Sequence, residues 1–253
     1  MKSDWRVYGK KADFKRLADK YSIDQVIARI IRNRDICGDS DIDMYLNGDI
    51  KDMHDPKDMK DAVVSVDIIE KKIKEKCRIR IIGDYDIDGI CSIYILYKGL
   101  LAAGADVDYV VPHRINDGYG INEHLIDNAL SDGIDTIITC DNGISAYSQV
   151  KYAKDNGMTV IVTDHHDVPF DMIDGEKKYC IPPADAVVNP HQIECGYPYK
   201  ELCGAAVAWK IVILLYRKIG IDEKEAMDFI ENVAFATVGD VMPLTGENRI
   251  LVK

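Results

Sequence analysis

Residues 78–104, RIRIIGDYDIDGICSIYILYKGLLAAG, change character twice within one stretch. Arg78 to Ile82 is a short, β-branched run, Gly83 to Gly89 has the composition of a turn, and Ile90 to Ala103 is an apolar run of helical length closed by Gly104. That is strand, loop, helix. The alternation continues with a predicted strand at Val107 to Val111, a short helix at His124 to Leu130 and a strand at Thr136 to Cys140. A helix at Ser145 to Asn156 and a strand at Thr159 to Thr163 follow. Repetition at this pace implies right-handed crossovers and an α/β fold, a mostly parallel β-sheet with helices on both faces. Upstream, Phe14, Leu17, Ala18 and Tyr21, then Val26, Ile27, Ile30 and Ile31, recur at helical spacing, with Asp24 placed to cap the second run. Asn47 to Lys57 reads as a loop leading into a helix from Asp58 to about Lys76. The organisation expected is therefore an N-terminal helical extension over 1–57 and a catalytic domain over 58–253.

With 253 residues, 47% of them apolar, the chain has material for a substantial core. Its longest apolar stretch, near Gly204 to Ile219, is interrupted by Lys210 and falls short of the roughly 18 uninterrupted residues of a membrane span. No span is expected. Lys200, Lys210 and Arg217, isolated basic residues beside an apolar helix, are expected to snorkel to solvent. Met1 to Arg6 carries charge where a secretory signal needs an apolar segment, which points to the cytoplasm. The seven cysteines form no Cys-x-x-Cys pair, which disfavours a disulfide framework or a structural zinc site and leaves most of them as small buried hydrophobes. A net charge of −11, from 32 basic against 43 acidic side chains, argues against broad phosphate-backbone binding by this chain alone. A carboxylate cluster holding divalent cations would account for part of it.

Such a cluster can be placed. Active sites in parallel sheets lie beyond the carboxyl ends of the strands. Here those ends carry Asp84, Asp86 and Asp88 after one strand, Asp141 after another, and Asp164, His165 and His166 after a third. Carboxylates crowded together repel one another until protons or cations relieve the charge. Oxygen donors with one or two imidazoles and no thiolate suit manganese or magnesium, and the natural reading is a two-metal site. Taken singly each element is weak: an acidic turn is often only a loop, and a histidine pair at a strand end is more often structural. The joint placement at one sheet edge is what counts.

In order along the chain, Gly83-Asp84-Tyr85-Asp86-Ile87-Asp88-Gly89, Asp141-Asn142-Gly143, Asp164-His165-His166 and Thr237-Val238-Gly239-Asp240-Val241-Met242-Pro243-Leu244 resemble the four motifs of the DHH phosphoesterases. Pro112-His113-Arg114, Gly118-Tyr119-Gly120, Val188-Asn189-Pro190, Tyr197-Pro198 and Leu244 to Arg249 resemble the RecJ-like branch in particular, and the likeness runs from about Trp5 to Lys253. The resemblance implies that Asp84, Asp86 and Asp141 hold one metal while Asp88, Asp141, His165 and Asp240 hold the other, with Asp141 as the bridge. Many relatives carry a histidine where this chain has Ile82, and Asp84 stands in for it. His166 is expected to act on a phosphate oxygen or in proton transfer, Asp164 to orient an imidazole, and Arg114 to grip a phosphate. Tyr85, Tyr119, Tyr197 and Tyr199 lie near the motif loops as candidate stacking platforms.

The activity implied is metal-dependent phosphodiester hydrolysis: a 5′ to 3′ exonuclease on single-stranded DNA in repair and recombination, with two Mn2+ or Mg2+ ions per active site. A helicase and a single-strand-binding protein are partners by resemblance. The alternatives are a phosphodiesterase for short oligonucleotides or cyclic dinucleotides, and a noncatalytic replication-associated scaffold. The resemblance also implies a second, substrate-gripping domain after Lys253 that this sequence does not contain, so that this stretch is expected to bind metal but cut DNA poorly.

Overall fold

The amino-terminal residues form three short helices, α1 (Phe14–Tyr21), α2 (Gln25–Asn33) and α3 (Asp39–Asn47), packed around Leu17, Ala28, Ile31, Ile36, Ile42 and Tyr45. Asp13 and Asp24 cap the first two by accepting from the N–H groups of Arg16 and Val26. The third helix, DSDIDMYLN, is acidic and weakly periodic, and was not visible from the sequence pattern. The protein's computed structural model describes residues 4, 9–114 and 118–253, so that of the charged stretch Met1 to Arg6 only Asp4 lies within the described residues. Two compact units divide the chain, Met1–Met53 and His54–Lys253.

The second unit opens with α4 (Ala62–Lys74), followed by β1 (Arg78–Ile82), α5 (Ile87–Ala102), β2 (Asp106–Val110), α6 (Glu123–Ser131), β3 (Thr136–Cys140), α7 (Tyr147–Asp155) and β4 (Thr159–Thr163). A hairpin of β5 (Phe170–Ile173) and β6 (Glu176–Tyr179) then projects before β7 (Ala186–Val188) completes the sheet, and α8 (Gly204–Ile219), α9 (Ile230–Gly239) and α10 (Gly246–Val252) close the chain. The five-stranded sheet has the order β2-β1-β3-β4-β7 and is parallel throughout. Its strands are rich in Ile and Val because both faces are covered. On one face Ile82, Ile137, Val160, Val162 and Val187 join Leu125, Ile126 and Ala129 of α6 and Val150 and Ala153 of α7 in one apolar cluster. The strand period of two turns Ile138 and Ile161 to the opposite face, where α5 and α8 contact the sheet and α4 contacts β7.

Strand order decides where a site can form. From β1 the chain crosses to β2 on one side and then to β3 on the other, so the direction of winding reverses between β1 and β3. Crevices open at such reversals, beyond the carboxyl ends of the strands. The segments leaving β1 and β3 there are those carrying Asp84 and Asp141.

Some sequence expectations need correction. Helix α5 begins at Ile87, ahead of the expected Ile90, because the Asp86 side chain caps it by accepting from the Gly89 N–H. Lys210 does not snorkel: it is 1% exposed and faces Glu247 across 3.4 Å inside the core. Three of the seven cysteines, Cys140, Cys195 and Cys203, are buried, fewer than expected. Among the described residues no helix is long and apolar enough to cross a membrane.

Candidate metal centre at the carboxyl edge of the sheet

The turn after β1 brings Asp84 and Asp86 to the crevice, and the first turn of α5 brings Asp88. Gly89 permits this: a Cβ there would lie 2.5 Å from the Asp84 carbonyl oxygen, so only glycine lets the helix start approach the strand end so closely. Asp141, directly after β3, adopts a left-handed φ of 59°, a region that aspartate tolerates better than most residues. Asn142 holds the turn. Fully buried, it donates through Nδ2 to the carbonyls of Ile82 (3.0 Å) and Cys140 (2.8 Å) and accepts at Oδ1 from the Ile121 N–H (3.1 Å). It thereby ties the ends of β1 and β3 together across the reversal.

After β4, the wholly buried Asp164 accepts from the backbone N–H groups of Ile144 (2.9 Å), His165 (2.7 Å) and His166 (3.1 Å) and pairs with His166 Nδ1 at 2.7 Å. Burial opposes its charge, but the His166 hydrogen bond and these donors win, and its carboxyl sits below the usual range. The same hydrogen bond raises His166. The imidazole that Asp164 orients is thus that of His166. Asp240 follows α9 and arrives from the far side of the crevice, next to His165.

Two sets of donors converge. Ligand atoms of Asp84, Asp86 and Asp141 all lie within 4.8 Å of one another, as do those of Asp88, His165 and Asp240. Asp141, His165 and His166 form a third such group, which links the other two through Asp141 and His165. His165 Nε2 stands 3.0 Å from Asp141 Oδ1, 3.4 Å from Asp88 Oδ2 and 3.6 Å from Asp240 Oδ2. None of these contacts has hydrogen-bond geometry, and this nitrogen, like Asp84 Oδ1, is buried without a hydrogen-bond partner. Buried polar atoms are nearly always satisfied. A ring nitrogen and three carboxylate oxygens directed into one shared space is an arrangement that a cation would satisfy. Burial, then the charges of Asp88, Asp86 and Asp164, pushes the Asp141 carboxyl up to about 11. Burial likewise raises Asp84 and Asp240.

Two residues without a role in the sequence reading, Gly204 and Ala205, complete the site. The first two amides of α8 grip Asp88: Gly204 N–H donates to Oδ2 at 2.6 Å and Ala205 N–H to Oδ1 at 2.8 Å. A helix amino terminus favours negative charge, so a 16-residue helix compensates a fully buried carboxylate. The small residues Gly204, Ala205 and Ala206 at the head of an apolar helix were the available signal. Tyr119 donates from its hydroxyl to the Asp141 carbonyl (2.9 Å) and stands edge-on to His166. Arg114 is exposed at the rim, its guanidinium 5.1 Å from the centre of the Tyr85 ring. Of the other tyrosines, Tyr197 is wholly buried and cannot stack on a substrate, while Tyr199 hydrogen-bonds to the Thr245 carbonyl.

A doubly wound parallel sheet with a carboxylate and imidazole cluster at its reversal point is the architecture of an α/β protein built to hold divalent cations. The chain belongs to the DHH family: it matches the DHH family, N-terminal domain, across residues 78–237. It is 34% identical to the single-stranded-DNA-specific exonuclease RecJ of Haemophilus influenzae, over 89% of this chain and 38% of that protein. To the RecJ of Bacillus subtilis it is 33% identical, over 99% of this chain and 30% of that protein. The chain thus spans about a third of the length of these relatives. Among solved structures, an exonuclease RecJ bound to manganese superposes with a TM-score of 0.66 at 33% identity, covering 77% of this chain and 46% of that one. RecJ of Thermus thermophilus in complex with Mn2+ gives a TM-score of 0.70 at 26% identity, over 94% of this chain and 32% of that one.

Proposed function

We propose that this chain carries the catalytic centre of a metal-dependent nuclease that hydrolyses phosphodiester bonds in single-stranded DNA. The observation that carries the reading is the pair of interlocked donor groups, with a buried imidazole nitrogen and a buried carboxylate oxygen left without hydrogen-bond partners. Asp84, Asp86 and Asp141 would hold one cation, and Asp88, Asp141, His165 and Asp240 the other. A donor set dominated by oxygen suits Mn2+ or Mg2+, and relatives bound to manganese support this assignment. Two bound cations supply an activated water and charge stabilisation at the phosphodiester.

The protein's own groups do the rest. Asp141 would offer its carboxylate to both positions, which requires that it be ionised when the cations are bound. Asp164 pins Nδ1 of His166, and Nε2, 3.4 Å from the Tyr119 hydroxyl, would hold a proton near the phosphate or the leaving oxygen. Arg114, its guanidinium over the Tyr85 ring, presents a planar fork suited to a phosphate. The names of the relatives support single-stranded DNA as substrate and an exonucleolytic mode. A 5′ to 3′ direction, a role in repair and recombination in the cytoplasm, and a helicase and a single-strand-binding protein as partners complete the proposal.

The test is cleavage of 5′-labelled single-stranded DNA in manganese, in EDTA, and by Asp141→Ala. Metal-dependent cutting that disappears in the variant, however slow in the wild type, is expected. Cutting that persists in EDTA would refute the reading. Cleavage of dinucleotides alone would replace it with a small-substrate phosphodiesterase, and absence of both metal binding and cleavage would leave a scaffold.

A further inference from the structure

Beyond the metal centre the second unit contains a buried charged cluster that the chemistry does not use. Glu247, 3% exposed, accepts the His54 backbone N–H at Oε1 (2.6 Å) and the Tyr197 hydroxyl at Oε2 (2.7 Å). Lys210 Nζ faces Oε1 from 3.4 Å and lies 5.2 Å from the Tyr197 ring centre and 5.8 Å from that of Trp209. Tyr197 is wholly buried, and His54 stands edge-on to it with ring centres 5.8 Å apart. Burial lowers Lys210 despite the pull of Glu247. Such a pair is costly to desolvate, and apolar residues of the same volume are often as stable or more so. Stability alone therefore gives little reason for it.

Its place in the chain suggests another. Asp240 is the most exposed donor of its own cation's set: its side chain is 28% exposed, against 0% to 7% for Asp88, Asp141 and His165, and Val241 after it takes a left-handed φ of 58°. Only the segment from Val241 to Gly246 separates Asp240 from Glu247. That segment is fastened at both ends. On the Asp240 side, Met242 N–H bonds to the Thr237 carbonyl (3.0 Å) of α9. On the Glu247 side, the Tyr199 hydroxyl donates to the Thr245 carbonyl (2.9 Å), and Asn248 Nδ2 donates to the carbonyls of Glu201 and Pro243. We infer that the Glu247, Lys210 and Tyr197 cluster is a positioning device: it fixes the far end of the segment behind Asp240 and so sets that carboxylate in the metal site. The inference rests on Asp240 being a metal ligand.

Manganese titration of the wild type, Asp240→Ala, Glu247→Gln and Tyr197→Phe, each held well below its melting temperature, tests it. Electron paramagnetic resonance reports the magnetic coupling between the two ions. Asp240→Ala should lose one ion. Glu247→Gln, which keeps one of the two acceptor oxygens but removes the charge, should weaken that same ion about tenfold, spare the other and reduce the coupling, by analogy with groups supporting other metal ligands. If Glu247→Gln does not fold, Tyr197→Phe should show a smaller weakening at the same ion. Wild-type affinity for both ions in a folded Glu247→Gln, or in Tyr197→Phe where that variant stands in for it, alongside a lost ion in Asp240→Ala, overturns the positioning role and leaves the metal centre standing. Two ions retained by Asp240→Ala overturn the ligand assignment and the inference with it.

Discussion

Replacing Gly204 with alanine is the change whose effect the geometry fixes most closely. A Cβ at that position would lie 2.8 Å from Asp141 Cβ, 3.0 Å from Asp141 Oδ1 and 3.0 Å from Asp88 Oδ2. Relief requires the head of α8 or both carboxylates to retreat by roughly half an ångström, an overpacking strain of about 1–3 kcal/mol. Alanine's advantage over glycine within a helix, about 1 kcal/mol, offsets part of that, so the fold should lose little. The metal site should lose more. The same backbone amides hold Asp88 in place, and disturbing the partners that orient metal ligands typically costs about 10–100-fold in affinity, or roughly 1.4–2.7 kcal/mol. Calorimetric titration with manganese, paired with melting curves with and without the metal, reads both quantities. The expected variant melts close to the wild type when metal-free but gains less from manganese, because stabilisation by a ligand follows its affinity. A Gly204→Ala protein that binds manganese as tightly as the wild type would refute the reasoning.

Other outcomes follow from the same geometry. The folded carboxyl of Asp141, at about 11 against an ordinary 3.8, retains a proton that the unfolded chain has released. Its contribution to stability is complete below the unfolded value and is lost as pH rises through the folded one. In EDTA the melting temperature should therefore fall from about pH 5 to about pH 8, and saturating manganese should reverse that order. His166→Ala should reduce turnover by about 100-fold or more with manganese affinity retained, as expected of a proton-transfer group; unchanged turnover would remove that role. Asp164→Asn should move the His166 titration, followed by NMR, down from its raised value toward the ordinary 6.5, since the Asp164 hydrogen bond is the largest cause of the rise. Arg114→Ala should weaken binding of single-stranded DNA and flatten its dependence on salt by about 0.7 in the logarithmic slope, one phosphate contact fewer.

Much of the sheet was legible because fully buried parallel strands leave a strong local mark. β1, β3 and β4 occupy the residues read from their β-branched runs. β7 escaped, since Ala-Val-Val is too short to stand out, and so did the hairpin of β5 and β6, although Asp174-Gly175 between two extended runs is a recognisable turn signal. The site residues named from strand ends, Asp84 to Asp88, Asp141 and Asp164 to His166, could be placed because that position is a local property, whereas Asp240, after α9, came only with the family resemblance. Contributions made through the backbone were harder to see: the amides of Gly204 and Ala205 act on a carboxylate more than a hundred residues away in sequence. Lys210 was misjudged for a related reason. Whether a lysine on an apolar helix reaches water or a buried glutamate depends on what the tertiary fold packs above it, here Glu247 of α10.

The most direct test of a two-cation centre bridged by Asp141 is the number of manganese ions bound per chain before and after Asp141→Ala. Two ions in the wild type, with binding of both weakened together in the variant, is the predicted result. A wild type that binds one ion or none, or a variant that keeps two at full affinity, would contradict it.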